Sequence, residues 1–391
     1  MRTEIDRRAM TLLASGHLAT DFANGALPAL IPYFKDRFDL SYTLSAALIL
    51  ASTASSSVIQ PFFGLWSDRR GALWLLPGGV LLAGVGIALA ADAPSYWLVV
   101  LLVIVSGLGV AAYHPEGTKF AAYASGTKRA SGMSAFSIGG NFGFALGPIA
   151  TGAVVAWLGL RGGFLLVVPG IAVGLALVLR YAQLAALAPS RERQRAPRTG
   201  DDQVGALGLL LGLIALRSLA WYGLITFVPL WEVSLGHSKA HGNHLLSLML
   251  LVGGVGTIVA GPLADRIGMR RVLLTSLVAT PALIAAYVAV GGVLGAICLS
   301  LVGACIIGTF GISAVLSQEY LPSRMGLASG LSVGLSVGLG GLGAVLLGAI
   351  ADSVDLRAAM WTAAVAPAAA VLLGLRLPGG RRRAAVALQA S

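Results

Sequence analysis

The sequence is short of charge. Asp, Glu, Lys and Arg make up 11% of its 391 residues, while 57% of the chain is apolar and the mean hydropathy is +0.85. An ordinary soluble domain is about 25% charged. So few charges cannot cover the surface of a water-soluble fold of this size, which excludes a soluble two-domain enzyme and a disordered chain. It also argues against a nucleic-acid partner, despite the formal net charge of +11. Cysteine is scarce too. Cys298 and Cys305 lie in one apolar run, on one helical face about 10 Å apart along the axis, too far for a disulfide; they read as core filler. No metal-ligand spacing, no nucleophile–His–acid set and no phosphate-binding P-loop is apparent, so neither a metal nor ATP drive is expected. Glycine, by contrast, is abundant at 52 copies, and in membranes it lets helix backbones approach closely. The solvent that suits most of this chain is a lipid bilayer.

A membrane helix needs roughly 20 apolar residues. Polar punctuation separates twelve such stretches, with limits near 9–34, 43–66, 72–91, 96–122, 131–157, 163–185, 206–233, 244–264, 271–291, 294–318, 326–350 and 357–378. The charged segment Met1 to Arg8 before the first of them imitates a signal peptide. That stretch carries His17, Asp21 and Asn24 and runs on to Tyr33, so it reads as a retained first span. The connections are short except for 189–203, which is polar and holds Arg191, Arg193, Arg195 and Arg198. The expected organisation is an N-terminal six-helix bundle over 1–188, a linker over 189–203 and a C-terminal six-helix bundle over 204–391. Of the 27 Lys and Arg, 21 fall on the side of the two termini and the linker, five on the other side, and Arg217 inside a span. The positive-inside rule then puts both termini and the linker in the cytoplasm. The basic balance is therefore a topology signal, with contact to anionic membrane lipid as a secondary role.

The two halves repeat each other. After the second span comes Gly64-Leu-Trp-Ser-Asp68-Arg69-Arg70-Gly71, and after the eighth comes Gly261-Pro-Leu-Ala-Asp265-Arg266-Ile-Gly268, offset by 197 residues and followed by Arg270 and Arg271. Ala130-Ser-Gly-Met-Ser134 and Ala328-Ser-Gly-Leu-Ser332 repeat at an offset of 198. Two matches at nearly one offset, each at the same topological place, imply parallel repeats, two bundles about an axis normal to the membrane. In the duplicated loop the glycines permit a tight turn. The Asp is expected at the start of the following helix, where the dipole favours negative charge. The Arg residues face headgroups or pair across the bundle interface. Such a loop can latch one side shut; taken singly it also reads as a plain helix cap with positive-inside anchoring.

The loop pattern resembles the signature of the major facilitator superfamily. Three stretches, Gly16-His17-Leu-Ala-Thr-Asp21, Tyr113-His114-Pro115-Glu116-Gly117 with Gly139-Gly-Asn-Phe-Gly143 and Gly147-Pro148, and Gln318-Glu319-Tyr-Leu-Pro322 with Arg324, are similar to the bacterial fosmidomycin resistance protein family. The resemblance implies an all-α membrane protein with the major facilitator fold, working as a proton-driven drug exporter of the inner membrane. Gly143 and Gly147-Pro148 are also similar to the superfamily's antiporter motif, in partial form.

Ionisable side chains inside a span are expensive and mark function by default. In the first span His17, Asp21 and Asn24 share one face, with Asp21 roughly 18 Å deep at 1.5 Å per residue. Asp21 is the candidate proton site and His17 its relay; the bland alternative is polar glue between helices. In the seventh span Arg217 lies at matching depth, because Asp21 plus the repeat offset gives 218. It suits capture of a carboxylate or phosphonate, with Trp221 and Tyr222 packing the apolar part of a ligand; a permanent Asp21–Arg217 ion pair is the alternative. His114 and Glu116 are expected near the cytoplasmic mouth, as a proton entry or gate or as a structural bridge to Lys119, Arg129 or the Arg69 loop. Glu319 is the counterpart of Glu116 with Arg324 as partner, and Glu232 reads as interfacial. Gln60, Asn141 and Ser55 to Ser57 read as interhelical hydrogen bonds rather than ligands.

These residues predict a monomeric secondary transporter that uses the proton gradient and no cofactor. It would exchange protons for a small anionic or amphiphilic molecule in a midplane cavity lined by spans 1, 4, 7 and 10. The rivals are a proton symporter importing an organic anion and a non-transporting scaffold or sensor on the same fold. A membrane enzyme is more distant, for want of any chemistry-bearing set.

Overall fold

A computed structural model describes residues 4–188, 201–322 and 325–378, and no strand occurs among them. The helices are α1 Arg7–Phe38, α2 Tyr42–Arg70, α3 Leu75–Ala91, α4 Tyr96–Ala124, α5 Arg129–Leu158, α6 Val168–Leu179, α7 Tyr181–Ala185, α8 Val204–Ser234, α9 Lys239–Ile267, α10 Met269–Val290, α11 Gly292–Gly308, α12 Phe310–Tyr320, α13 Met325–Ser353 and α14 Leu356–Arg376. A 3-10 stretch, Leu160–Val167, runs into α6 to make one crossing, and α11 with α12 makes another. The result is twelve crossings in two six-helix bundles. Ten are long and apolar enough to span a membrane and α3 is a shorter apolar helix. The twelfth, α1, is diluted by His17, Asp21 and Asn24. Most of the expected linker, residues 189–200, lies outside the described residues.

Side chains at the ends explain where helices begin. The oxygens of Asp6, Ser41, Ser95, Ser238 and Asp355 accept from the backbone N–H three residues on, each satisfying a donor that the first helical turn leaves free. Two crossings depart from the expected limits. The sixth ends at Arg180, and α7 follows as a separate turn. The tenth breaks at Thr309, whose hydroxyl turns back to the carbonyls of Cys305 and Ile306.

The duplicated loop is built differently from the expectation. Asp68 and Asp265 do not open the following helices; they lie in the last turns of α2 and α9. Each helix runs on to its glycine. Gly71 (φ +70°) and Gly268 (φ +100°) adopt conformations closed to other residues without strain, and their N–H groups close the helix ends on Ser67 and Ala264. The repeat therefore specifies a helix stop. The side chains of Asp68 and Arg69 lie outside the described residues. Asp265 and Arg266 are exposed, as is Gly261, which has open space around it.

The two bundles meet chiefly through α2 on α13 and α5 on α9. Their buried cores fuse away from the basic loops: Phe22, Leu30 and Phe34 of α1 join Trp221, Phe227 and Trp231 of α8 in one cluster. Toward the basic loops the cores are separate, with Leu13, Leu76, Tyr113 and Phe120 in one half and Leu213, Leu273, Leu316 and Tyr320 in the other. Polar contacts between the halves follow the same division among the described residues. Asp352 at the end of α13 accepts from the N–H groups of Tyr42 and Thr43 at 2.8 Å each, capping α2 of the other half. Lys239 pairs with Asp36, and Asn243 donates to Ala29 O at 3.3 Å. All lie at the end opposite the basic loops. Among the described residues the halves thus join at that end, while their buried cores stay separate at the basic end.

Candidate functional site

Close packing of α1 on α5 sets the site. A Cβ at Gly139 or Gly143 would collide with the α1 carbonyls of Ala14 and Leu18, and one at Gly140 would lie 2.7 Å from Asp21 Oδ2. Only glycine permits this approach. It brings α5 against the polar face of α1.

Asp21 sits between two imidazoles. His17 Nε2 lies 3.2 Å from Oδ2 and His114 Nε2 3.3 Å from Oδ1. The remaining nitrogens face main-chain oxygens: His17 Nδ1 lies 2.9 Å from Phe136 O and His114 Nδ1 2.9 Å from Val110 O. His17 also stacks on Phe136, with ring centroids 4.2 Å apart. A carbonyl only accepts, so both Nδ1 atoms carry hydrogen. A neutral imidazole protonated at Nδ1 presents a lone pair at Nε2, and so does a carboxylate oxygen. Each Nε2–Oδ contact therefore needs a proton within it. With both contacts made, two protons are shared among three groups and the net charge is +1; removing one leaves the triad neutral and one contact broken.

Asp21 and His114 open onto a cavity of about 250 Å³ between the halves. Its N-terminal wall carries the polar Asn24, Ser56, Ser57, Gln60 and Asn141 beside Val110 and Phe144; its C-terminal wall is Trp221, Tyr222, Ile307, Phe310 and Val337. Spans 1, 4, 7 and 10 all contribute, as expected, and α2, α5 and α13 add to them. Asn24, Trp221 and Tyr222 stand where the sequence puts them. Ser56, Ser57, Gln60 and Asn141, read as interhelical links, line the cavity instead. Phe310 lines it too, and its only sequence signal is an aromatic following Gly308-Thr309.

Three expectations need correction. Arg217 does not face Asp21. It is 2% exposed, and its Nη1 donates to Thr309 Oγ1 and Ser313 Oγ, both at 3.0 Å. The guanidinium lies 4.6 Å from the centre of the Phe310 ring, and Phe310 itself lines the cavity. No ion pair to Arg217 forms among the described residues, so the permanent Asp21 pair is absent too. Second, His114 is not at a mouth but level with Asp21, since α4 continues ten residues beyond it to Ala124. Third, Glu116 faces away from the cavity. Buried at 1% side-chain exposure, it pairs with Lys119 at 2.8 Å and accepts from Ser67 at the end of α2. It ties the duplicated loop to α4, the bridge rather than the proton entry.

In the C-terminal half Arg270 donates to Leu375 O at 2.7 Å, tying α10 to α14. Glu319 is half-buried near the end of α12, and its expected partner Arg324 lies outside the described residues. Glu232 is buried rather than interfacial and meets His237 and His241. That group and the Asp21 triad are the sets of side chains among the described residues whose atoms converge closely enough to hold a metal ion. The two cysteines are free.

Twelve crossings in two repeated bundles around a polar cavity define a secondary membrane transporter. The chain belongs to the Major Facilitator Superfamily, whose family model matches residues 13–341 and 210–389. It is 33% identical over 377 residues to the uncharacterized MFS-type transporter YfnC of Bacillus subtilis (strain 168), covering 94% of this chain and 91% of that one. It is 30% identical over 389 residues to the fosmidomycin resistance protein of Escherichia coli (strain K12), covering 95% and 93%. Among solved structures, a bacterial homologue of the human lysosomal transporter Spinster, inward-facing and unoccupied, superposes with a TM-score of 0.76 at 15% identity, over 96% of this chain and 97% of that one. That last likeness is one of fold.

Proposed function

We propose that the protein exchanges protons for a small amphiphilic or anionic compound, exporting it across the bacterial inner membrane by alternating access. The observation that carries this reading is Asp21, whose two oxygens are both occupied by imidazoles that need a proton in the contact. A substrate hydroxyl or N–H aimed at Asp21 from the cavity displaces one ring. The displaced imidazole keeps its main-chain hydrogen bond, loses the partner that shared its second proton and gives that proton up. Protonation in turn restores both contacts and expels the donor. Proton and substrate then compete for one carboxylate, and the competition is reciprocal by linkage.

The cavity supports the substrate class. Its volume of about 250 Å³ is below the usual range for drug-sized ligands, about 300–1,000 Å³. A polar wall facing an aromatic one suits a small amphiphile. The likeness to the fosmidomycin resistance protein supports a compound of that kind. The Lys and Arg distribution supports cytoplasmic termini, with the end where the two cores stay separate then facing the cytoplasm. The proton gradient supplies the drive, and no cofactor is needed.

The test is proton release from purified protein in weak buffer on adding fosmidomycin, repeated with Asp21→Asn. Release by the wild type and none by the variant supports exchange. Equal release from both removes Asp21 from the scheme. One feature favours a second reading: the doubly bridged triad is positive and attracts an anion, so proton and anion can also bind together. Proton uptake in the same assay, with accumulation in right-side-out vesicles, marks a symporter.

A further inference from the structure

The connection between α8 and α9, at the end opposite the basic loops, gathers a second set of chemistry-bearing side chains. Glu232, in the last turn of α8, is 4% exposed. His237 Nδ1 lies 2.6 Å from its Oε2 and His241 Nε2 lies 3.5 Å from the same oxygen. The two imidazole centroids are 4.6 Å apart, and the three ligating atoms all lie within 4.8 Å of one another. We propose that Glu232, His237 and His241 form a binding site for a divalent transition metal ion of the zinc class.

The donor set selects the ion. Two imidazole nitrogens and one carboxylate suit Zn²⁺, whereas Ca²⁺ and Mg²⁺ want oxygen. Tetrahedral bonds of about 2.0–2.1 Å put ligand atoms about 3.3 Å apart. Glu232 and His241, at 3.5 Å, are already close to that separation. His237 must open by about 0.7 Å from its present contact, exchanging the proton it shares with Glu232 for the metal. Both rings are about half exposed, which leaves a fourth position for water and a path of entry.

The surroundings hold the ligands in place. The hydroxyl of Tyr287 on α10 donates to Glu232 Oε1 at 2.7 Å, orienting the carboxylate from behind as supporting groups do in metal sites. The turn is closed by His237 N–H on Glu232 O at 3.0 Å and by Gly236 at φ +89°. Ser238 then caps α9 and sets the direction of His241.

The site bears on the halves because Lys239 lies between the two histidines. Lys239 pairs with Asp36 of the other half and lies 4.8 Å over the Tyr33 ring. A metal fixing residues 237 and 241 fixes the turn that presents Lys239. It therefore favours the arrangement closed at this end.

The experiment is equilibrium binding of Zn²⁺ to the purified full-length chain, alongside His237→Gln, His241→Gln, the double variant and Tyr287→Phe. Wild type should bind one equivalent that the double variant lacks. Each single His variant should weaken that equivalent at least about ten-fold, and Tyr287→Phe by about ten-fold. Zn²⁺ should raise the Tm of the wild type and not of the double variant, with equal Tm values in EDTA showing that both fold. Asp21→Asn should keep the equivalent, which separates this site from the transport scheme. No bound Zn²⁺ in the wild type, or the same stoichiometry and affinity in the double variant, overturns the proposal.

Discussion

Asp21 and Arg217 occupy nearly equivalent places in the two repeats, yet the molecule treats them in opposite ways. Asp21 faces the cavity, and both of its partners are titratable side chains. Arg217 is buried against Phe310, and its partners are hydroxyls, a carbonyl and a ring. One charge can be discharged by moving a proton over a few ångströms. The other is fixed, since a guanidinium stays protonated. A pseudo-symmetric scaffold thus carries one switchable charge and one constant charge, and the cavity is asymmetric because of it.

The strongest break of this comparison is at the switchable charge. Asp21→Asn keeps the shape, removes the negative charge and replaces one of the two acceptor oxygens by an NH2 donor, so the two protons can no longer be shared. Proton-driven transport in proteoliposomes should fall on the order of a thousand-fold, the scale of a lost acid–base group, while the variant still folds. A loss below ten-fold would mean that the proton travels elsewhere.

A second prediction sharpens the contrast between paired and unpaired buried charge. Glu116 depends on Lys119 and Ser67. Lys119→Met leaves a buried carboxylate without its cation, and should destabilise the protein by about 3 kcal/mol, read as a lowered unfolding midpoint in detergent. Arg217→Met should cost much less, below about 1 kcal/mol, since removing a buried cation with no counter-ion leaves no unpaired charge behind and relieves its desolvation cost. The hydroxyls left behind already have partners, Thr309 on Cys305 O and Ser313 on Thr309 O. If the two variants lose equal stability, Arg217 is held by more than the neutral groups around it.

Why the sequence yields Asp21 but misplaces Arg217 follows from helix geometry. Depth along a helix can be counted, at 1.5 Å per residue, but facing turns by about 100° with each one. The repeat offset carries Asp21 to position 218, not 217, and that single step moves the side chain to another face. Ser218, the strict equivalent, meets Ser336 of α13 at 2.7 Å. The twelve crossings are legible because length and hydropathy are properties of whole segments, and five of their starts coincide with Ser or Asp caps. His114 is misplaced for a related reason: its depth is counted from one helix end alone, whereas the packing of α4 against α1 sets it level with Asp21. The set at Glu232 is not legible in the sequence, because only the turn at Gly236 brings Glu232 to His237 and His241.

The finest test concerns the wall between the constant charge and the cavity. Phe310 presents one face to Arg217 and also lines the cavity, so the ring touches both the cation and whatever binds there. Truncation by Phe310→Ala opens a path from the cavity to the guanidinium, whose Nε has no hydrogen-bond partner. An anion that reaches it gains a charge-assisted hydrogen bond, while the loss of the ring removes apolar contact and a cation–π interaction with Arg217. The first effect should win for a small phosphonate, giving about three-fold tighter binding of fosmidomycin. The gain should vanish in the Phe310→Ala, Arg217→Met double variant. A gain that persists there would trace to the added space alone. Weaker binding in both backgrounds would make Phe310 a packing surface for the substrate, with Arg217 a structural charge that holds the break between α11 and α12.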